Sequence, residues 1–184
     1  LITPEEEDAL DTVLRSTIEL QLDAVIWSQS RGVRDGLLEG GVCVPDTEHP
    51  AAALFHLLTV GGKRRVIVML DLAAHLCPDE RPLRQWRDLV RACQKEGSTL
   101  VMIDHHSERP DVVRSWSTEF ELSLPDEAEL EQILKSTLRK RNEEKPVQVQ
   151  LSRRDLETIL RNLKGLSRRQ ARQIILESVS EDNR

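Results

Sequence analysis

The chain has 184 residues, 39% of them apolar, with 26 Lys and Arg against 32 Asp and Glu for a formal net charge of -6. That length suits one domain, or a main domain with a small satellite, and the acidic balance argues against a dedicated nucleic-acid binder, which is usually basic. Cys43, Cys77 and Cys93 have no CxxC spacing and fit a reducing cytosol rather than a disulfide or zinc framework; no apolar run approaches the roughly 20 residues that span a bilayer, and no signal peptide is visible.

Leu1-Ile2-Thr3 reads as the tail of a strand whose beginning precedes the chain. Thr3-Pro4-Glu5-Glu6-Glu7 opens a helix, with Thr3 as its cap, Pro4 at its first position and Leu10, Val13, Leu14 and Ile18 as its buried stripe. Asp23 to Ser28 is the next predicted strand, followed by a glycine-rich connection from Gly32 to Gly41. Pro50 starts a short helix carrying Leu54, Leu57 and Leu58, and Gly61-Gly62-Lys63 turns the chain into the strand ending at Asp71. Pro82 begins an amphipathic helix with Leu83, Trp86, Leu89, Val90 and Cys93 on one face. A second apolar strand ends at Asp104, and a brief helix from Pro110 to Trp116 leads to Thr118–Leu124, whose alternation predicts a strand exposed on one side.

Strands alternating with helices predict a parallel sheet with flanking helices. From Pro125 the pattern becomes helical. Asp126 to Glu129 is a capping box, Asn142 to Pro146 a polar linker, Ser152 the cap of another helix with Gly165 at its end, and Ser167 to Gln170 a second box. The expected organisation is an α/β domain over 1–125 and a small all-helical domain over 126–184. The basic stretches of the last third, Lys135 to Lys145, Arg153-Arg154, Arg161 to Lys164 and Arg168 to Arg172, read as a solvated helical surface in preference to a nucleic-acid face.

The runs ending at Asp71 and Asp104 suit strands buried on both faces, and ligands of open α/β sheets bind at such carboxyl ends. Asp71 is a candidate magnesium ligand, and Asp104 stands where a residue sensing a terminal phosphate would lie. A magnesium site needs partners, however, and the residue after Asp71 is Leu72, not a second acid. A structural role, capping the strand end or the next helix, is favoured for Asp71. Gly61-Gly62-Lys63 follows a helix and precedes a strand, the reverse of a phosphate loop. Where such a loop belongs, Pro4-Glu5-Glu6-Glu7 places three carboxylates that repel a triphosphate. His105 and His106, adjacent on an extended strand end, point to opposite sides and do not readily share an ion; loop polarity is favoured for them. No nucleophile-elbow sequence supports a hydrolytic triad. Trp86 belongs to a core stripe, while Trp27 and Trp116 lie at element ends, where they are candidates to face a partner.

The order strand, helix, strand, Asp-ending strand, helix, second Asp-ending strand, edge strand and helical lid resembles an AAA+ module. Leu163 to Ile175 is similar to the lid of such proteins, and Leu122 to Leu130 to their sheet-to-lid junction. Pro45-Asp46-Thr47 with Pro50 and Leu54, Asp71, and the Leu124-Pro125-Asp126 junction more closely resemble the N-terminal half of the cyanobacterial and plastid-type "hypothetical open reading frame" AAA ATPases and their bacterial relatives. Members of that group carry a degenerate module followed by an intact one. The resemblance implies that Asp71 holds a degenerate Walker-B-like position and Asp104 a degenerate sensor-1-like one. It places Arg168, Arg169 and Arg172 near a sensor-2-like position or an inter-module contact.

The leading expectation is a catalytically inactive AAA+-like module that scaffolds or regulates an attached ATPase module. The chain itself then needs no cofactor, while ATP and magnesium belong to the full-length protein. Its partners are attached or neighbouring AAA+ modules, as an oligomer, in the cytoplasm or in the plastid stroma for a plastid member; nucleic acid is not favoured. Two alternatives stay open: a clamp-loader-type subunit acting through protein and DNA contacts, and a magnesium-dependent phosphate-processing enzyme using Asp71 and Asp104.

Overall fold

The computed structural model describes residues 1–38, 40–76, 80–105, 108–144 and 153–181. Its first helix, α1 (Glu6–Glu19), carries Glu6, Glu7 and Asp8 in the first turn, where their charge suits the helix dipole. The helix starts later than the sequence predicts. Glu5 is its N-cap, and the Thr3 hydroxyl accepts from the Glu5 N–H at 3.1 Å, so Thr3-Pro4-Glu5 forms a tight turn ahead of the helix.

β1 (Asp23–Ser28) follows, and a three-residue connection reverses the chain into β2 (Gly32–Asp35), antiparallel to β1 with Ser28 opposite Gly32 and Val25 opposite Asp35. Part of the expected glycine-rich connection is therefore a strand, and the sheet is mixed rather than parallel throughout. Gly32 permits the reversal. Its φ is +66°, and a Cβ there would sit 2.5 Å from Thr47 Oγ1. Thr47 closes this edge of the sheet. Its hydroxyl accepts from the Val33 N–H at 2.8 Å and donates to the Val44 carbonyl at 2.6 Å, and its carbonyl accepts from Trp27 Nε1 at 2.7 Å. Trp27, expected to be free to face a partner, is fully buried.

The first compact unit, Leu1–Leu122, is completed by α2 (Pro50–Thr59), β3 (Arg65–Leu70), α3 (Ala73–Leu76), α4 (Glu80–Glu96), β4 (Thr99–Ile103) and α5 (Asp111–Trp116). His49 caps α2 by accepting from the Ala51 N–H. α4 begins two residues before Pro82, which its first turn tolerates because those N–H groups have no intrahelical partner. Cys93 is a buried core residue; Cys77 lies outside the described residues. Trp116 is 41% exposed, with the Arg91 guanidinium 5.4 Å from its ring centre.

The strand order is β2-β1-β3-β4, with β1, β3 and β4 parallel. Ile2 forms parallel bridges to Asp104 and to Glu121, which extends the sheet past β4. Thr118–Leu124 is not the continuous edge strand expected. Glu121 alone bridges, Leu122 packs on the sheet, and Phe120 is 63% exposed. Burial on both faces accounts for the unbroken apolar run of β3. Val66, Val68 and Leu70 pack with Ala9, Leu10 and Val13 of α1, whereas Ile67 and Met69 pack with residues of α2 and α4, among them Leu54, Leu57, Trp86 and Leu89.

The second unit, Ser123–Arg184, contains α6 (Glu127–Glu144), α7 (Arg153–Leu163) and α8 (Arg168–Glu181) around Leu130, Leu134, Leu160, Leu163, Ala171 and Ile175. Asp126 accepts from the Glu129 N–H at 2.8 Å. Ser167 and Gln170 cap α8 reciprocally, at 3.3 Å and 3.0 Å. Gly165, with φ +90°, stops α7 in a conformation that favours glycine. The predicted linker is helical from Asn142 to Glu144, because α6 runs further than its polar sequence suggests; Lys145, Pro146 and the predicted cap Ser152 lie outside the described residues. Among the described residues no helix is long and apolar enough to cross a membrane.

Thr47→Val keeps the shape of the side chain but leaves the buried Val33 N–H without its acceptor. A loss of about 1–3 kcal/mol is expected in urea unfolding; unchanged stability would show that the hydroxyl does not hold this edge.

Candidate functional site

The carboxyl ends of β3 and β4 and the turn before α1 border a cavity of ≈ 340 Å³, lined by Thr3, Pro4, Glu6, Asp71, Asp104 and His105. A wider cleft of ≈ 750 Å³ shares Glu6 and Asp71 with it and is bounded on another side by Ser28, Arg31 and Arg34 of the β1–β2 hairpin. The parallel register sets Leu70 beside Ile103, so the next residues, Asp71 and Asp104, reach the same end of the sheet.

The two aspartates do different things there. Asp104 is 5% exposed and joins three segments. Its N–H donates to the Leu1 carbonyl at 3.0 Å, its carbonyl accepts from the Thr3 N–H at 2.9 Å, and its carboxylate accepts from the Ala73 N–H at 2.9 Å. Burial raises its carboxyl pKa, the Ala73 hydrogen bond opposes that rise, and the Asp71 charge adds to it. Asp71 is half-exposed and lies in the left-handed region at φ +53°. Its N–H donates to the Ile103 carbonyl at 2.9 Å, and its carboxylate meets His105 Nδ1 at 2.8 Å. The capping role favoured for Asp71 thus falls to Asp104. His105, expected to be loop polarity, is its neighbour in the cleft; His106 lies outside the described residues.

Glu6 faces these groups from α1. Burial raises its carboxyl pKa first, then the charges of Asp71 and Glu7, while Arg34 and His105 act in the opposite sense. The acidic turn singled out Glu6 in advance. Arg34 reaches the cleft through the hairpin, which no turn signal revealed.

Phosphate is poorly served at this end of the sheet. Pro4 has no N–H, the Glu5 N–H is taken by Thr3 Oγ1, and the helix that follows starts with Glu6, Glu7 and Asp8. Magnesium is no better served. One Asp104 oxygen holds Ala73, Asp71 is engaged by His105, and among the described residues no three His, Cys, Asp or Glu side chains are placed to hold a metal ion. This geometry does not favour a magnesium-dependent reaction run by Asp71 and Asp104.

The three arginines of the helical unit differ sharply in setting. Arg168, whose side chain is 11% exposed, grips Glu129 with two parallel bonds of 2.7 Å and 2.9 Å and donates to the Ser123 carbonyl at 2.7 Å. Arg169 is exposed and Arg172 half-buried.

Two substitution series follow from these contacts. The Asp104 carboxyl pKa is raised on folding, so the folded chain holds its proton more tightly than the unfolded one. Its contribution to stability is full below the unfolded carboxyl range and is lost as pH rises through the raised folded value. Asp104→Asn should be no less stable than the native protein near pH 7, with a flatter stability profile on acidification. Asp104→Ala, which removes the Ala73 acceptor, should lose about 1–3 kcal/mol. Denaturant titrations across that pH range separate the two. Arg168→Ala should cost about 1.5–3 kcal/mol in the helical unit, the range for hydrogen bonds to charged groups. Arg169→Ala should stay within about 0.5 kcal/mol, so equal losses in thermal unfolding would discount the Glu129 clamp.

Comparison with known families agrees with the two-unit architecture. Residues 1–122 match the family described as SpoVK-like AAA ATPase, N-terminal domain, and residues 128–184 match SpoVK-like AAA ATPase, second domain. No curated protein matches the chain. The sheet, its helical unit and the two family matches lead to one conclusion: the chain belongs to the SpoVK-like AAA ATPases.

Proposed function

We propose that this chain is a catalytically inactive AAA+-like module that scaffolds or regulates an attached or neighbouring intact AAA ATPase module. ATP and magnesium are then bound by residues outside the chain. The observation that carries this reading is the turn before α1: Pro4 without an N–H, a Glu5 N–H taken by Thr3, and carboxylates where phosphates need donors. The matched families, an N-terminal and a second domain of SpoVK-like AAA ATPases, support it by assigning both units to a protein family named for its ATPases.

On this reading Asp71 and Asp104 occupy degenerate Walker-B-like and sensor-1-like positions and serve the architecture of the strand ends. Arg168 is engaged by Glu129; the resemblance keeps Arg169 and Arg172 as candidates for an inter-module contact. On the same proposal the boundary between the α/β and helical domains lies at 125/126, three residues past the division between the compact units. The likeness to the cyanobacterial and plastid-type group, carried by Pro45-Asp46-Thr47, belongs to the same proposal, as do a cytoplasmic or stromal location and an oligomeric state.

Isothermal titration of the chain with ATP and magnesium should give no heat of binding at micromolar concentrations, and phosphate release should stay at background. Micromolar affinity would overturn the proposal. Asp71→Ala should leave association with a purified partner ATPase module within about twofold; a folded variant that loses that association would sink the architectural role of Asp71.

A further inference from the structure

α4 has two sharply different sides. Trp86, Leu89 and Cys93 are buried in the core, with Leu83 and Val90 packed against them. Arg81, Arg84, Asp88, Arg91 and Lys95 recur at three- and four-residue spacing, which at about 100° per residue sets them on the side directly opposite. Arg81, Arg84, Arg91 and Lys95 are exposed, and Asp88 among them is half-buried. The stripe is about 21 Å long at the helical rise.

A charged outer side is ordinary on a surface helix, but two observations set this one apart. Residues 1–122 hold 13 Lys and Arg against 21 Asp and Glu, yet α4 alone has five of those cations against three acids. Its basic character therefore runs against that of its unit. The stripe also borders an exposed aromatic ring, since the Arg91 guanidinium lies 5.4 Å from the ring centre of Trp116 on α5. Tryptophan and arginine are the residues that most often dominate binding at protein interfaces. Asp88 is shared between Arg84, at 3.2 Å, and Arg91, at 3.8 Å, both in exposed pairs of small energetic value. A partner's carboxylates can engage these arginines at little cost.

We propose that the outer side of α4, with Trp116 at its edge, docks an acidic amphipathic helix of a partner protein. Its carboxylates match the spacing of Arg84, Arg91 and Lys95, and its apolar residues cover Trp116. Nucleic acid or an anionic membrane is a poorer occupant, because the unit as a whole is acidic and Asp88 stands in the middle of the stripe. A helix can set a cation opposite Asp88, whereas a repeating phosphate surface meets it with like charge. The contact goes beyond the scaffold reading and does not depend on it, since the residues lining the strand-end cleft lie on other elements than α4 and α5.

The test is fluorescence anisotropy of a labelled synthetic helix, mixed with the 184-residue chain. The peptide is as long as α4 and carries glutamates at three- and four-residue spacing beside leucines, with one lysine to face Asp88. A Kd of about 10–100 μM is expected at low salt, with clear weakening at high salt. Acrylamide should quench the chain less in the complex, because Trp27 and Trp86 are buried and Trp116 is the accessible tryptophan. Arg91→Glu and Trp116→Ala alter exposed positions and should each weaken binding about tenfold. Arg15→Glu makes the same charge change on α1, which packs on the other face of the sheet, and should stay within about twofold. The proposal is overturned if the native chain does not bind the peptide, or if a scrambled peptide of the same composition binds as well. It is also overturned if Arg15→Glu costs as much as Arg91→Glu, or if an oligothymidylate or a phosphatidylserine vesicle binds more tightly than the peptide. If Arg91→Glu fails to fold, Lys95→Glu takes its place with the same outcomes.

Discussion

Asp104 is the point on which the strand-end geometry depends. A single buried residue fastens the Leu1–Thr3 segment through its backbone and the start of α3 through its carboxylate. The first of those segments borders the cleft, with Thr3 in its lining. One of the two Asp104 carboxylate oxygens is taken up by the Ala73 N–H. Holding an ionised carboxylate in that setting has a cost, visible in its raised pKa, and the Ala73 N–H offsets part of it.

The sheet and the site respond to different constraints. β3 and β4 are held by apolar packing against helices on both faces, which asks for volume and hydrophobicity and is indifferent to what lies beyond the strand ends. The strand ends answer to local polar satisfaction: Thr3 with Glu5, Asp71 with His105, Asp104 with Ala73. A fold built on the first kind of interaction leaves the polar groups at its strand ends free to vary. This separation lets an ATPase-family sheet surround a cleft whose polar groups are largely turned toward one another.

The legible parts of the sequence were those whose cause is local or periodic. The run of β3 announces burial on both faces, while the similar run of β4 is only half-buried up to Ile103; the Asp126 and Ser167 caps announce their helices within three residues. The hairpin did not show itself, because Gly32-Val-Arg-Asp35 is short and is completed by Thr47, 14 residues beyond the strand residue it binds. The site was half legible. Asp71, Asp104 and the acidic turn could be placed at one end of the sheet, but the partner of Asp104 lies 31 residues away, that of Asp71 lies 34 away, and Glu129 lies 39 from Arg168. Spacing within a helix or strand carries no information about such pairings. The charge pattern around Arg168 read as a solvated face for the same reason.

The burial of Leu72 sets a limit on how acidic this strand end can become. It is fully enclosed in the core cluster that includes Leu76 and Trp86, one residue after Asp71. An acid there would be an ion inside an apolar core, at a penalty of several kcal/mol. A second carboxylate beside Asp71 would therefore require the helices behind β3 to be repacked. The hydrophobic core, rather than the open cleft, decides which side chains the end of β3 can carry.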